Sequence, residues 1–266
     1  QSPIKWTTDF TFSWNVDKIT DLKSRSNMID LCSGTSSSHF REGYSRSALF
    51  SIPFAGLSDQ GIPQVINQDG VVTSSDINFQ EYEKLDNLIY EGPTEPPFTG
   101  GLNNMIKWKN LRLNIFLTYS FGNVIRLDRV FSAGYSDQSA MPKDFMNRWV
   151  ESGDERYTDV PVIASYRQYA NTYALSYAYN AYNYSNARVA SGSFIRLKDI
   201  SLTYDLPKKF LHKIGLNTAS IKFDATNLWL IYADKKLNGQ DPEFVNSGGV
   251  AMPMSKQFTM TLRLGI

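Results

Sequence analysis

From Ile4 to Val16 the chain alternates. Ile4, Trp6, Phe10, Phe12, Trp14 and Val16 fall on one parity, broken only by Thr8, while Lys5, Thr7, Asp9, Thr11, Ser13 and Asn15 fall on the other. Successive strand side chains point to opposite faces, so this reads as a strand with one apolar and one wet face. Its length, about a dozen residues, exceeds the usual globular strand and suits a tilted membrane strand. The pattern returns at 111–121, with Leu111, Leu113, Ile115, Leu117, Tyr119 and Phe121 on the apolar face. It recurs at 194–204, 219–230 and 257–266, the last with Phe258, Met260, Leu262, Leu264 and Ile266. Weaker strand candidates lie near 27–32, 45–56 and 98–109, for about eight strands in all.

The connections are uneven. Lys109-Asn110 is a tight turn, and 205–218 is a short connection with a helix opened by Pro207 and stopped by Gly215. Residues 122–193 and 231–256 are long excursions. Short turns on one side and long loops on the other are the habit of bacterial outer-membrane barrels, with the long loops outside the cell. Within the first excursion, Pro142, Asp144, Phe145, Trp149 and Gly153 predict a helix over 142–151 that braces the loop through Phe145 and Trp149.

Composition adds exclusions. Lys+Arg number 27 and Asp+Glu 26, a balance that offers no basic surplus for nucleic acid. A single cysteine, Cys32, excludes an internal disulfide and reads as a bystander in a Ser-rich loop. No apolar run is long enough for a transmembrane helix, which leaves a strand-built membrane protein open. The two histidines, His39 and His212, read as solvated loop residues, and no nucleophile elbow, phosphate loop or zinc-protease motif occurs. The chain is therefore expected to be no enzyme, with no catalytic residues, metal or cofactor. Asp137, Asp154, Glu155, Asp159, Asp241 and Glu243 fit no calcium loop and read as solvated loop charges.

The densest aromatic tract runs from Tyr166 to Tyr184. Tyrosine offers a flat apolar face and a hydrogen-bonding tip with few rotors, which suits sugars, peptides or a protein partner. Packing among neighbouring loops is the alternative. Tyr166, Arg167, Tyr169 and Tyr173 are the candidate cargo- or partner-contacting residues, since Tyr and Arg are favoured anchors.

Several stretches together carry a family likeness. They are Phe98-Thr-Gly-Gly-Leu-Asn-Asn-Met, Arg148-Trp149 with Gly153-Asp154-Glu155 and Pro161, and Ser191-Gly-Ser-Phe-Ile-Arg-Leu-Lys-Asp199 running on to Pro207. Thr226-Asn-Leu228, Gly239-Gln-Asp-Pro-Glu243 and the closing Phe258-Thr-Met-Thr-Leu-Arg-Leu-Gly265 continue it. Glu42-Gly43 and Gly61-Ile-Pro63 extend it weakly upstream. In order and spacing the chain resembles the carboxy-terminal barrel of SusC/RagA-type TonB-linked transporters, although 1–97 matches loosely and Ile266 stands where that family usually has an aromatic residue.

The resemblance implies an all-β fold, a partial transmembrane antiparallel barrel with about eight strands of a large plugged one. Residues 1–266 would then be the carboxy-terminal part of a TonB-dependent receptor barrel, with the plug and amino-terminal domains absent from this chain. It implies the bacterial outer membrane, import of glycan or peptide nutrients, a SusD-type surface lipoprotein as lid, and the TonB complex for energy. The chain would be surrounded by outer-membrane lipid. Two other readings stand beside it. One is a stand-alone eight-stranded barrel with a structural or adhesive role; the other is an outer-membrane hydrolase, which would need a nucleophile–base pair. Eight strands cannot close a barrel of about 22. Open edges in lipid would leave backbone groups unpaired, so under the leading reading the remaining barrel strands must come from elsewhere.

Overall fold

The computed structural model describes residues 3–34, 39–130, 141–163, 173–212, 215–245 and 255–265, with only the backbone for Tyr173. In chain order the strands are β1 (Ile4–Trp14), β2 (Ala48–Ser51), β3 (Phe54–Leu57), β4 (Pro63–Ile66), β5 (Val72–Thr73), β6 (Ile89–Pro93) and β7 (Phe98–Trp108). They continue with β8 (Leu111–Phe121), β9 (Val124–Arg126), β10 (Val189–Ser191), β11 (Phe194–Asp205), β12 (Thr218–Tyr232) and β13 (Gln257–Gly265). The helices are α1 (Met28–Ser33), α2 (Tyr173–Asn183) and α3 (Lys208–Leu211).

Six of the strands form one antiparallel sheet in the order β1-β7-β8-β11-β12-β13. Among the described residues the long strands are thus six, fewer than the eight the alternation suggested. The candidate at 27–32 is helix α1. Its local chemistry explains the difference: the Asn27 side chain accepts the Asp30 amide at 2.8 Å, and Gly34 closes the helix in the left-handed region (φ 63°). The 45–56 candidate divides into β2 and the start of β3, both outside the large sheet.

Register sorts the side chains as the alternation requires. Across β1, β7 and β8, Trp6 stands opposite Ile106, which stands opposite Leu113; Phe10 stands opposite Leu102, which stands opposite Leu117. The row continues through Leu113, Leu202, Phe223 and Met260 to the last strand. Nothing among the described residues covers this face: Trp6 is 70% exposed, Trp229 66% and Phe258 75%. Leaving about a dozen such side chains in water, at roughly 1.5–3 kcal/mol each, would exceed the ~5–15 kcal/mol that holds an ordinary domain together. The face is made for lipid. Strands of 9 to 15 residues, tilted, match the apolar band of a bilayer. Thr8 and Asn104, the polar pair on this face, satisfy each other: the Asn104 side-chain oxygen accepts from the Thr8 hydroxyl at 2.8 Å and from the Trp6 indole at 3.1 Å.

The two glycines of β7 have separate jobs. A Cβ on Gly100 would sit 2.2 Å from the Thr11 carbonyl and 2.4 Å from the Tyr119 hydroxyl. The Tyr119 ring therefore lies across Gly100, and its hydroxyl donates to the Thr11 carbonyl two strands away at 3.0 Å. On the opposite face Phe116 lies across Gly101, where a Cβ would come within 2.8 Å of the ring. Missing side chains on one strand are filled by aromatics from the next.

All three long connections (15–97, 122–193 and 233–256) leave from the same end of the sheet, and the two short ones close the other. In the second short connection Pro207 precedes α3 and Gly215 follows in the left-handed region (φ 72°). Across 15–97 and 122–193 the loops build a folded body with its own core, including Leu31, Phe50, Ile52, Val65, Ile77 and Ala181. Cys32 belongs to this core within α1, not to a loop, and burial pushes its thiol up to about 12, which makes it unreactive.

Substituting Gly100→Val in the intact barrel is expected to cost about 1–3 kcal/mol by overpacking. The urea midpoint of the heat-modifiable folded band on a gel checks this. Adding Tyr119→Ala should recover only part of the loss, because the Thr11 carbonyl still blocks the new side chain. Full recovery would show that Tyr119 alone requires the glycine.

Candidate functional site

The loop body at the long-connection end is held by three arginines, Arg126 half-buried and Arg188 and Arg196 buried, each gathering separate segments. Arg126, on β9, donates to the carbonyls of Phe50 (2.6 Å), Ser185 (2.9 Å) and Cys32 (3.2 Å) and to the Ser51 hydroxyl (3.1 Å). Burial pulls its pKa below the usual arginine value, but guanidinium is basic enough to stay charged. Arg188 donates to Asp144 at 2.7 Å and to the Asp128 carbonyl at 2.6 Å. Asp144 also accepts from the Asn238 side chain, so it joins segments 141–163, 186–188 and 235–238.

Arg196 is the third. It stands near the loop end of β11 and is 5% exposed. It meets Asp241 at 2.5 Å and Glu243 at 2.8 Å. The sequence reading of Asp241 and Glu243 as solvated charges is thereby corrected: Asp241 is 9% exposed and ion-paired. The Phe-Ile-Arg-Leu-Lys-Asp and Gly-Gln-Asp-Pro-Glu stretches, some forty residues apart, are two halves of one lock. Glu155 and Asp154 act locally. Asp154 accepts the amides of Val150 and Glu151, while Glu155 accepts the Trp149 indole at 3.1 Å and the Gly153 amide at 2.8 Å. The amides of Glu151 and Val150 hold the Asp154 carboxyl below its ordinary pKa, and the Glu155 carboxyl is lowered first by its own backbone amide and then by the Trp149 and Gly153 bonds.

The helix expected over 142–151 is shorter. Pro142 precedes a single 3-10 turn, Lys143–Asn147, and Arg148 is already extended (ψ 154°). The bracing survives in another form. The Arg148 guanidinium lies 4.8 Å from the Phe145 ring, and Trp149 lies flat against Gly61, where a Cβ would fall 2.5 Å from the indole. The Trp149 amide bonds the Val160 carbonyl at 2.9 Å. An extended, tertiary-held Trp149 is what ends the helix early.

Of the candidate contacting residues, Tyr166, Arg167 and Tyr169 lie outside the described residues, and Tyr173 opens α2 with its side chain likewise outside them. The rest of the tract is helical. Tyr179 and Tyr182 are buried, the Tyr179 hydroxyl donates to the Val162 carbonyl at 2.5 Å, and Tyr177 stacks on Phe79 at 5.7 Å. Tyr182 lies edge-on to Phe54 at 5.6 Å, and burial pushes its phenol up to about 12. These rings are core. The alternation of Tyr with Ala at helical spacing was the sequence signal for it, and the turn-rich surroundings hid it.

A cleft of about 730 Å³ opens where β1 meets the loop body, lined by Val16, Tyr44, Tyr90, Pro96, Pro97 and Phe98. Asp17 fixes its rim by accepting from the Ser45 hydroxyl and the Arg46 amide, both at 2.7 Å. Sequence reasoning missed this cleft because its walls come from three distant segments.

A sheet with one lipid face, short connections at one end and a folded loop body at the other defines the chain as wall and mouth of an outer-membrane β-barrel. No family model matches it. The chain is 30% identical over 254 residues to "TonB-dependent receptor P3" of Formosa agariphila, which covers 90% of the chain and 23% of that protein. It is 26% identical over 164 residues to "TonB-dependent receptor P39" of the same organism, covering 59% of the chain and 14% of that protein. The chain thus spans less than a quarter of the length of these relatives. Among solved structures it superposes on a chain of the RagAB peptide importer in the "open-open" state with a TM-score of 0.68, at 22% identity, over all of this chain and 27% of that one. Against the "closed-closed" state the TM-score is 0.67 at 25% identity, over 98% of this chain and 27% of that one. The chain is homologous to TonB-dependent receptors, which are proteins of the bacterial outer membrane, and it has the fold of the RagA barrel portion.

Replacing Arg196 by Ala leaves Asp241 buried without its cation and is expected to loosen 233–245 by about 3–5 kcal/mol. Limited proteolysis of the intact barrel at that connection checks it. Arg196→Met combined with Asp241→Asn should be milder, because no lone charge is buried. Asp17 gives a pH dependence. The Ser45 hydroxyl bond first, then the Arg46 amide bond, lowers its pKa. Its contribution is therefore complete above the ordinary carboxylate pKa and lost as pH falls through the lowered value. The protection factor of the Arg46 amide, taken relative to the intrinsic exchange rate at each pH, should fall on acidification, and Asp17→Asn should blunt that change.

Proposed function

We propose that this chain forms part of the barrel wall and outer mouth of a TonB-dependent importer of glycan or peptide nutrients, working with a SusD-type lid lipoprotein. The observation that carries the reading is the six-stranded sheet, whose uncovered apolar face and loop-bearing end match the importer barrel along the whole chain. Its outer strands, β1 and β13, each have one neighbour among the described residues and do not pair with each other. Unpaired backbone in lipid costs several kcal/mol per group, so further strands of the same transporter complete both edges. A closed small barrel would have joined β1 to β13. The plug, and the segment that meets the TonB complex, belong to the rest of that transporter.

The work of the chain is transport rather than catalysis. Of the two cargo classes, peptide has the support of the RagAB likeness. The loop body supplies a rigid rim, since buried ion pairs and tyrosines tie its segments together. Tyr166, Arg167, Tyr169 and Tyr173 remain the proposed contacts with cargo or lid.

Substituting these four by Ala in the intact transporter is expected to weaken cargo binding or lid association about tenfold, as loss of a Tyr/Arg anchor typically does. Isothermal titration with a peptide pool and a glycan pool, together with co-purification of the lid, makes the measurement. Unchanged affinity for both, with the barrel assembled, would assign the tract to loop packing alone.

A further inference from the structure

The tight connection at Lys109-Asn110 joins β7 to β8 at the short-connection end of the sheet. Lys109 sits in the left-handed region (φ 51°), and its ammonium lies 5.2 Å from the centre of the Trp108 ring. Trp108 is on the lipid face and 48% exposed. It pairs in register with Leu111, which pairs with Tyr204, 43% exposed. A tryptophan, a lysine and a tyrosine therefore share one level at the margin of the apolar face. The ammonium meets the indole but has no carboxylate partner among the described residues. Asp205, at the same end, is engaged by Arg112 at 3.1 Å.

The wider charge distribution points the same way. The short connections, 109–110 and 206–217, hold four lysines (Lys109, Lys208, Lys209 and Lys213) and no Asp or Glu. The long connection 15–97 has twelve acidic residues against six basic ones. Lys208 and Lys209 are exposed. The short connections thus carry a surplus of basic residues, which the long connection 15–97 does not.

We propose that Lys109, Trp108 and Tyr204 form a binding site for the phosphate of an anionic phospholipid in the inner leaflet of the outer membrane. The indole face and phenol ring rest against the glycerol and upper acyl region. The lysine reaches outward from the apolar face to the phosphate, as an amphipathic side chain does at a boundary. Lys208 and Lys209 add long-range attraction to the same leaflet. The site anchors the depth of the barrel at the end opposite its loop body. The inference rests on the membrane-barrel reading, which supplies the orientation.

The test uses the intact transporter in nanodiscs of phosphatidylcholine with a minor fraction of phosphatidylglycerol. Native mass spectrometry reads the retained phosphatidylglycerol. Lys109→Gln is expected to lower retention about fivefold, the usual effect of one lysine at an anionic surface. Arg46→Gln, at the opposite end, should leave it unchanged. Retention by Lys109→Gln equal to the parent, or an equal loss with Arg46→Gln, would overturn the proposal. A photoreactive phosphatidylglycerol analogue tests the parent protein without any substitution: the adduct should fall on the peptide containing Trp108 and Lys109, and an adduct confined to other peptides would count against the site. Failure of the parent to enter the nanodisc as a heat-modifiable barrel would instead defeat the membrane-barrel reading.

Discussion

Backbone hydrogen bonding in a medium without water governs this molecule. Inside lipid every amide and carbonyl must find a partner, and only strand pairing with neighbours can supply one to an extended chain. The six long strands obey this with a nearly continuous register from Ile4 to Gly265. Once pairing is imposed, the period-two side-chain rule follows, and with it the division into an apolar face and a wet one. The register shifts at Ile195–Arg196 and again at Leu197–Asp199, where Asn227 on the neighbouring strand takes a positive φ and an irregularity is absorbed. Trp229, beyond that break, is still 66% exposed, so the rings needed outward face outward.

At the loop end the constraint is reversed. The chain is in water, and it folds by burying apolar groups around α1, α2 and the short strands. Loops crossing one another bring backbone carbonyls into places that water cannot reach. Guanidinium groups suit such places because they stay charged and present several donors in a plane. Arg126 satisfies carbonyls from three segments; Arg188 and Arg196 bind carboxylates from others. A buried ion pair is weak evidence for added stability, since desolvation offsets most of the attraction. Its clearer effect here is to specify which loop meets which strand.

The short stretches that carry the family likeness acquire physical meanings in the structure. The Gly-Gly of β7 gives room for Tyr119 on one face and Phe116 on the other. Gly61 receives the indole of Trp149, whose turn is closed by Asp154 and Glu155. Arg196 and Asp241 are the two ends of one bond. In each pair the partners are distant in sequence, which is why each stretch read alone says little and their joint presence says much.

Sequence alone was sufficient for the strands of the wall. Alternation is a local property, the lipid face tolerates any large apolar side chain, and a turn such as Lys109-Asn110 is written within a few residues. The same locality made the side of the long connections readable, as well as the Pro207–Gly215 punctuation. It failed where contacts between distant segments decide the outcome. Residues 27–32 alternate weakly like a strand but become a helix, because Asn27 and Gly34 cap them and the loop core takes Leu31 and Cys32. The turn after Pro142 stops at Asn147 because Trp149 is drawn out to Gly61. Asp241 looked like a solvated loop charge until the fold carried it to Arg196. Charge and aromatic content name what a residue can do; only the packing of loops that close at one end of the sheet decides whether it meets water, a buried arginine or a neighbouring ring.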